Sequence, residues 1–590
     1  MALVMIISML VSCGGSDNSS GSGNNKPDEP VTPIEGAPTY DDKNWSTTPI
    51  NFELTESSDG KQFTAGTRRY YAGGDTSSTK VIDINIRNRN ANAQKAAGVE
   101  IKYSYLPDTT AHEWSKSVET IDKNTKTYTS GKSIDIYCNF VYDLTAATVK
   151  GCFANLKANT PGCQAEYGTG LNFFRFNDSD YVIETDPTKY FDSGVGEGYF
   201  YQYMLSLTLS DDKVYCLGSD YCTDLVRAFH VVPVNIEMMN GIDPKNLPAD
   251  LKSNPQVGYT SDMSNIEFFY KVVWANQWNY STLLKFSKSV YRDLGTNVTD
   301  GKAGADITDY LGFAISENGG LSASGILYTS SVQIVNKKAL TADEKAAALA
   351  NPDLKDYVAG DYLITYPDTN PQFSAYATAL NNLFEVGKNN GICTVNDDKN
   401  SGVSIRSNFV GGKVLFGSII SLGSLEDPDY QSMRSGSGFG IVPVPVYKAG
   451  DEYQTFVHNN ARIIAIARLT DRFEQISAFL DYQSRTSSGI LNMYYSQELA
   501  QSLQGEVGDQ NSEMLKYIRN HVRNVFDKTY EDVMGDLNKV TDAEATYRRW
   551  HEILRINKFQ ISSMTTEYEK LKPTKSADLK TVIKAWNELK

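Results

Sequence analysis

The groups that could do chemistry are sparse in this 590-residue chain, and their spacing argues against most reactions. Five histidines are present, His112, His230, His458, His521 and His551, a thin supply for acid–base or metal work. His112-Glu113 lacks the second histidine, four residues on, that would place two zinc ligands on one helical face. No G-x-x-x-x-G-K-[ST] loop cradles a phosphate, and Gly436, Gly438 and Gly440 neither complete G-x-G-x-x-G nor follow a strand. Gly320-Leu321-Ser322-Ala323-Ser324-Gly325 misses the G-x-S-x-G nucleophile turn by one residue. Thr299-Asp300-Gly301 hints at a calcium loop, but Thr296 and Val298 stand where oxygen ligands should alternate. No metal and no cofactor is expected. A glycoside hydrolase needs only two carboxylates at a set separation, and 71 acidic residues leave every pairing open.

Side chains suited to holding a ligand concentrate in Ile134-Asp135-Ile136-Tyr137-Cys138-Asn139-Phe140-Val141-Tyr142-Asp143. The stretch reads as a short buried strand that emerges into a polar, aromatic turn and continues into a helix. In an open α/β sheet, ligands sit outside the carboxyl ends of the strands, where turn side chains and a helix N-terminus converge. Aromatic faces there would cover the C–H side of a sugar ring, while Asp, Asn and Arg answer its hydroxyls. With 36 tyrosines such faces are plentiful.

The elements that must position these groups read as alternating strands and helices. Residues 81–86 (Val-Ile-Asp-Ile-Asn-Ile) alternate in period two and predict the first strand, with Arg87 and Asn88 in the turn after it. Residues 99–105 predict a second strand, and a helix carrying Trp114, Val118 and Ile121 leads to the third strand at Ile134. The order βαβαβ predicts a parallel, doubly wound α/β sheet. Between 152 and 224 the pattern loosens into elaborated loops. Residues 227–235 form a long apolar segment that Pro233 demotes from a central strand to an edge or crossing segment.

A second α/β region follows. It holds an apolar run at 268–274, then Trp278-Asn279-Tyr280 and a helix over 282–291 capped by Ser281. Helices are predicted at 340–357, 372–387 and 471–486. Strands are predicted after the Gly411-Gly412 turn and at 462–467, and a Pro-punctuated crossing at 438–445. The remainder reads as charged helix anchored by Tyr547, Trp550 and Trp586. A chain of this length exceeds one core and predicts more than one domain or one large two-lobed body.

A formal net charge of −15 argues against a nucleic-acid partner, since no concentrated basic surface accompanies it. Residues 1–12 are apolar but too short to span a bilayer and read as the core of an export signal, although no Lys or Arg precedes them. Leu10-Val11-Ser12-Cys13 resembles a bacterial lipobox. Cys13 would be the lipidated first residue of the mature chain, and the polar tract over 13–50 a flexible tether. Of the other cysteines, Cys216 with Cys222 and Cys152 with Cys163 are the pairings expected after export, with Cys138 and Cys393 left over. Unpaired thiols are the alternative.

Several stretches, modest singly, occur in a telling order between about Lys80 and Ser488. They are Ser133-Ile134-Asp135-Ile136 with Gly151, the segment from Val231 to Met239, and Trp278-Asn279-Tyr280 with its helix. Phe409 to Phe416, Gly440-Ile441-Val442-Pro443-Val444-Pro445 and the strand and helix over 463–479 complete the series. Together they resemble the family 1 extracellular solute-binding proteins of bacterial ABC importers, the maltose-binding-protein-like group. The sequence departs from the family pattern at Asn139, a place often aromatic in sugar binders, in the 152–224 insertion and in the long C-terminal tail.

The resemblance implies a two-lobed periplasmic-binding-protein-like α/β fold, each lobe a mainly parallel sheet flanked by helices. Lobe 1 would comprise 51–230 and 446–500; lobe 2 would comprise 231–445 and 501–590, with the C-terminal helices. It implies no catalysis. A monomeric protein, tethered by lipid at the outer face of the cytoplasmic membrane, would capture a small solute and deliver it to an ABC permease, a carbohydrate or oligosaccharide being favoured. Lobe 1 would line the cleft with Arg87, Asn88, Asn139, Phe140, Tyr142, Asp143, Asp220, Tyr221 and Asp224. Lobe 2 would add Trp278, Tyr280, Ser418, Ser421 and Arg434. A surface glycan-binding lipoprotein without a transporter is the second reading and a glycoside hydrolase the third.

Overall fold

The computed structural model describes residues 33–34, 37, 45–56, 69–74, 77–107, 116–156, 201–295, 304–316, 320–395, 401–433, 438–457, 461–499, 508–523, 529–530, 533, 549–556, 559 and 564–589. The export signal, Cys13 and most of the expected tether, Cys163, the 299–301 loop and Arg434 lie outside them.

In chain order the strands are β1 (Ile50–Glu56), β2 (Ile101–Pro107), β3 (Ile136–Phe140), β4 (Cys216–Leu217), β5 (His230–Asn235), β6 (Leu311–Ser316), β7 (Asn336–Ala339) and β8 (Val358–Ala359). They continue as β9 (Tyr362–Thr365), β10 (Ile392–Val395), β11 (Val414–Phe416), β12 (Ile420–Ser421), β13 (Phe439–Val442), β14 (Thr455–Phe456), β15 (Arg462–Ile466) and β16 (Val522–Arg523). The helices needed here are α1 (Val81–Ala96), α2 (Lys116–Lys126), α3 (Val141–Val149), α4 (Thr223–Arg227), α5 (Asn265–Trp274), α6 (Tyr280–Val290) and α7 (Gly320–Tyr328). Further on come α8 (Pro371–Gly387), α9 (Ser401–Val410), α10 (Phe473–Arg485), α11 (Gly508–Asn520), α12 (Trp550–Ile556) and α13 (Met564–Glu588).

Two mixed sheets, each flanked by helices, carry the α/β fold, and they are built on one plan. The first runs β2-β1-β3-β15-β4 and the second β10-β6-β11-β5, with β13 on the outer side of β5 and β12 continuing the β11 side. In each sheet three parallel strands stand in the order second, first, third. Next to the third lies an antiparallel strand delivered from the other body: β15 beside β3, and β5 beside β11. The chain therefore crosses twice, before His230 and before Arg462. The two crossings touch through an antiparallel bridge between Phe229 and Val457.

Local chemistry explains the main elements. All five residues of β3 are buried, and α3 follows without an intervening turn, its nine residues buried as well. Its Thr145 and Thr148 hydroxyls bond back to the carbonyls of Val141 and Leu144, which lets polar side chains sit in an apolar helix. A capping box joins Ser264 and Glu267 at the start of α5.

Several expectations are corrected. Residues 81–86 are the first turns of helix α1, not a strand. Ile82, Ile86, Arg89, Asn90 and Ala93 are buried at helical spacing, while Val81 and Ile84 face solvent, so the apparent alternation came from isoleucines one turn apart. Arg87 and Asn88 accordingly sit within a helix. The first strand is β1, and the order βαβαβ stands with β1 at its head. Residues 46 and 48, placed in the expected tether, are held by Arg472, which donates to the carbonyls of Ser46 and Thr48. The cap of α6 is Asn279, whose side chain accepts from the Thr282 amide at 3.2 Å, not Ser281. Residues 340–357 form a shorter helix, Ala342–Ala350, beside the small sheet β7-β9-β8.

Pro233 lies inside a strand paired on both edges. Its missing N–H costs one ladder bond, and its carbonyl still accepts from Gly417 at 2.9 Å. Cys216 and Cys222 are free thiols with different partners, Cys216 beside Thr148 and Cys222 on the Arg462 carbonyl. Cys152 and Cys138 are free thiols as well, and Cys393 is buried. Among the described residues no helix is long and apolar enough to cross a membrane.

Candidate functional site

The topology decides where a ligand could sit. β15 is antiparallel to β3, so its first residue, Arg462, lies at the carboxyl end of that strand, opposite Phe140. His230, the first residue of β5, lies in the same way towards the carboxyl end of β11. Both crossings thus enter at the carboxyl edges of the parallel strands, and these edges face each other across the bridge at Phe229 and Val457. That is where open α/β sheets hold ligands.

On the first sheet the edge is aromatic. Phe140 and Tyr142 stack at 5.4 Å with their planes 8° apart. With Leu106 against them they form a small apolar group separate from the continuous core. The Asn139 side chain takes a bond from the Phe140 amide at 2.7 Å and donates to Ser117 at 2.8 Å, which fixes the strand-to-helix transition. Asp143 is buried in the first turn of α3. There a carboxylate complements the positive end of the helix dipole and fills the place an anionic ligand would otherwise take.

Beside this stack runs a buried network of charges. Arg462 lays its guanidinium 4.8 Å over the Phe140 ring and donates to Asp224 at 2.7 Å. The second oxygen of Asp224 accepts from Arg227 at 2.8 Å, and Arg227 forks onto Glu426 at 2.7 and 3.0 Å. The hydroxyls of Tyr70 and Tyr494 close on the same carboxylate at 3.0 and 2.8 Å. Glu426 ends the turn after β12, so the second body supplies this one acid while the first supplies its partners. Burial alone would lower the Arg227 pKa; Glu426, then Tyr70 and Asp224, more than offset it and hold the group charged.

The other sequence-nominated residues fall into two groups. Ser418 and Ser421 lie along the second sheet's edge. Ser418 is 3.1 Å from the Ser322 hydroxyl in α7, and Ser421 pairs with His230 and bonds Ser424. Asp220 is bound by the Arg519 fork at 3.1 and 2.7 Å; burial pushes its carboxyl up, against the pull of that arginine. The Tyr221 carbonyl accepts from the buried Arg89. Arg87 donates to the carbonyls of Gly73 and Ser78, and Asn88 accepts from Asn92. Trp278 and Tyr280 are core groups of the second body, bonded to the carbonyls of Pro443 and Ile326.

Asn139, Phe140, Tyr142, Asp143 and Asp224 therefore stand together at the edge of the first sheet, and Arg87, Trp278 and Tyr280 do not join them. Arg462, Arg227, Glu426 and Tyr70 were not nominated. A lone arginine opening the apolar run at 462–467 was the available signal. Among the described residues no group of three or more His, Cys, Asp or Glu could hold a metal.

No protein-family model matches the chain, and no curated protein does. Solved structures do. The GacH receptor of Streptomyces glaucescens, solved unliganded and with acarbose, matches at 10% identity and a TM-score of 0.41, over 92% of this chain and 100% of its own. A family 1 extracellular solute-binding protein from Bifidobacterium longum subsp. infantis matches at 12% identity and 0.43, over 90% and 99%. The galacto-N-biose-/lacto-N-biose I-binding protein of an ABC transporter from Bifidobacterium longum, in complex with lacto-N-biose, matches at 12% and 0.44, over 91% and 98%. Solute-binding proteins, among them sugar-binding ones of ABC transporters, are thus among the structures to which this chain is similar.

Proposed function

We propose that the chain is an extracytoplasmic solute-binding protein that takes a small carbohydrate between its two bodies and presents it to an ABC permease. The observation that carries this reading is the exchange of one antiparallel strand between two sheets of the same plan, which sets their carboxyl edges face to face around paired crossings. Such an arrangement encloses a solute without requiring chemistry. The buried stack of Phe140 and Tyr142 makes that edge apolar. Asp143 in the first turn of α3 favours a neutral solute over an anion.

In this reading lobe 1 is 51–230 with 446–500 and lobe 2 is 231–445 with 501–590. Asn139, Phe140, Tyr142, Asp143, Ser418 and Ser421 are the side chains nearest the solute. Cys13 carries the lipid that keeps the protein at the outer face of the membrane. A thermal-shift screen of the tether-free protein against mono- and oligosaccharides, amino acids and peptides tests the function. A true ligand at one hundred times its Kd stabilises by about 2.7 kcal/mol and raises Tm clearly. Tyr142→Ala is expected to abolish most of that shift while leaving the unliganded protein folded. No shift with any solute, or a full shift in the variant, counts against the function and the site respectively. Hydrolysis of a reporter glycoside would instead favour an enzyme.

A further inference from the structure

The two bodies are joined a second time, away from the crossings. The first body contributes residues 207–215, which lead into β4 and are tied to it through Asn155 and Leu156. β4 pairs with the later residues of β15, Ile464 and Ala465, so this stretch approaches the end of the first sheet opposite Arg462 and the crossings. Two pieces rooted in the second body close on it.

One piece is the C-terminal helix α13. Its lower half is bound to the second body, with the Tyr568 hydroxyl on the Pro367 carbonyl at 2.8 Å and Lys572 paired with Asp368. Its far end is held by the first. The buried Trp586 indole donates to Ser210 at 2.8 Å and packs edge-on against Tyr215. Lys213 donates to the carbonyls of Trp586 and Leu589, satisfying groups that a helix end leaves open. The second piece is the β7-β9-β8 sheet. Tyr362 bonds Asp211, and Lys337 donates to the Thr208 carbonyl at 3.2 Å. Gly360 lies so close that an added Cβ would stand 2.6 Å from that of Ser210. Asn587 ties the two pieces to each other through the Val358 carbonyl at 2.8 Å.

We infer that α13 and the β7-β9-β8 sheet form a strap that holds the angle between the two bodies nearly fixed. A wide rotation about the Phe229–Val457 bridge would have to draw residues 207–215 out of this grip, stranding the buried indole donor of Trp586 and breaking the bonds of the half-buried Lys213 ammonium. In the binding reading, solute is then taken up without wide opening of the bodies. This inference rests on the binding reading for its consequence, but its measurement needs no ligand, so a failed ligand screen leaves it standing.

The test places spin labels at the exposed Val81 and Val386, one on each body, through Val81→Cys and Val386→Cys, in a chain carrying Cys13→Ser and Cys163→Ser. The five described native thiols are buried. Pulsed dipolar spectroscopy on the otherwise intact protein is expected to give one narrow distance distribution. Trp586→Ala, and separately Lys213→Ala with Tyr362→Phe, are expected to lengthen and broaden it while far-UV circular dichroism stays unchanged. A broad or two-peaked distribution in the unaltered protein overturns the strap. So does an unaltered distribution in a folded release variant, and the double variant decides the matter if Trp586→Ala does not fold.

Discussion

Single residues carry charge decisions that the fold has already made. Glu53, on β1 between β2 and β3, is pushed up to about 7 by burial, from an ordinary 4.5. The folded chain therefore keeps a proton that the unfolded chain releases between those values. Stability is fully present below about 4.5 and is lost as the pH rises through 7, a loss on the order of 3 kcal/mol. Urea denaturation midpoints measured from pH 4 to 9 are expected to show this decline, and Glu53→Gln to flatten it. The residues at the carboxyl edge of the first sheet show how much of the candidate site was legible in the chain. Asn139, Phe140, Tyr142 and Asp143 were nominated because they fall together in the chain next to an apolar run. Arg462 and Glu426 were not, since they reach the same place from positions hundreds of residues later, and only strand exchange makes them neighbours.

At the scale of elements, the readings that succeeded rested on unambiguous punctuation. The helix end, Gly-Gly turn and strand at 409–416, the strand at 462–466 and the helix over 473–485 all stand where pattern and breakers agreed. The readings that failed had a competing period or a tertiary partner. Helix α1 carries isoleucines that satisfy both periods, and β5 keeps Pro233 because neighbours on both edges supply the remaining bonds. The contact of α6 with β6 depends on a missing side chain. A Cβ on Gly312 would stand 2.0 Å from the Ser287 Cα. Gly312→Ala is expected to cost about 1–3 kcal/mol through forced separation of strand and helix, read as a lower urea midpoint with an unchanged slope. An unchanged midpoint would mean that the helix shifts freely on the sheet.

Over the whole molecule, two bodies of one plan share a chain that passes between them, and their strand orders match although the segments that build them are arranged differently. The second sheet takes all its strands from one uninterrupted stretch, His230 to Val442. The first cannot be closed until Arg462–Ile466 has been made and brought back beside β3. Loop closure over such a separation is slow. The bodies should consequently acquire their structure in the reverse of their order in the chain. During refolding with pulsed hydrogen exchange, amides of β6, β10 and β11 are expected to become protected before those of β1 and β3, with equal protection times as the contrary result. An N-terminal body that waits for late residues stays unfinished while the chain is still emerging, and its unpaired strand edges lie open to solvent until Arg462–Ile466 arrives.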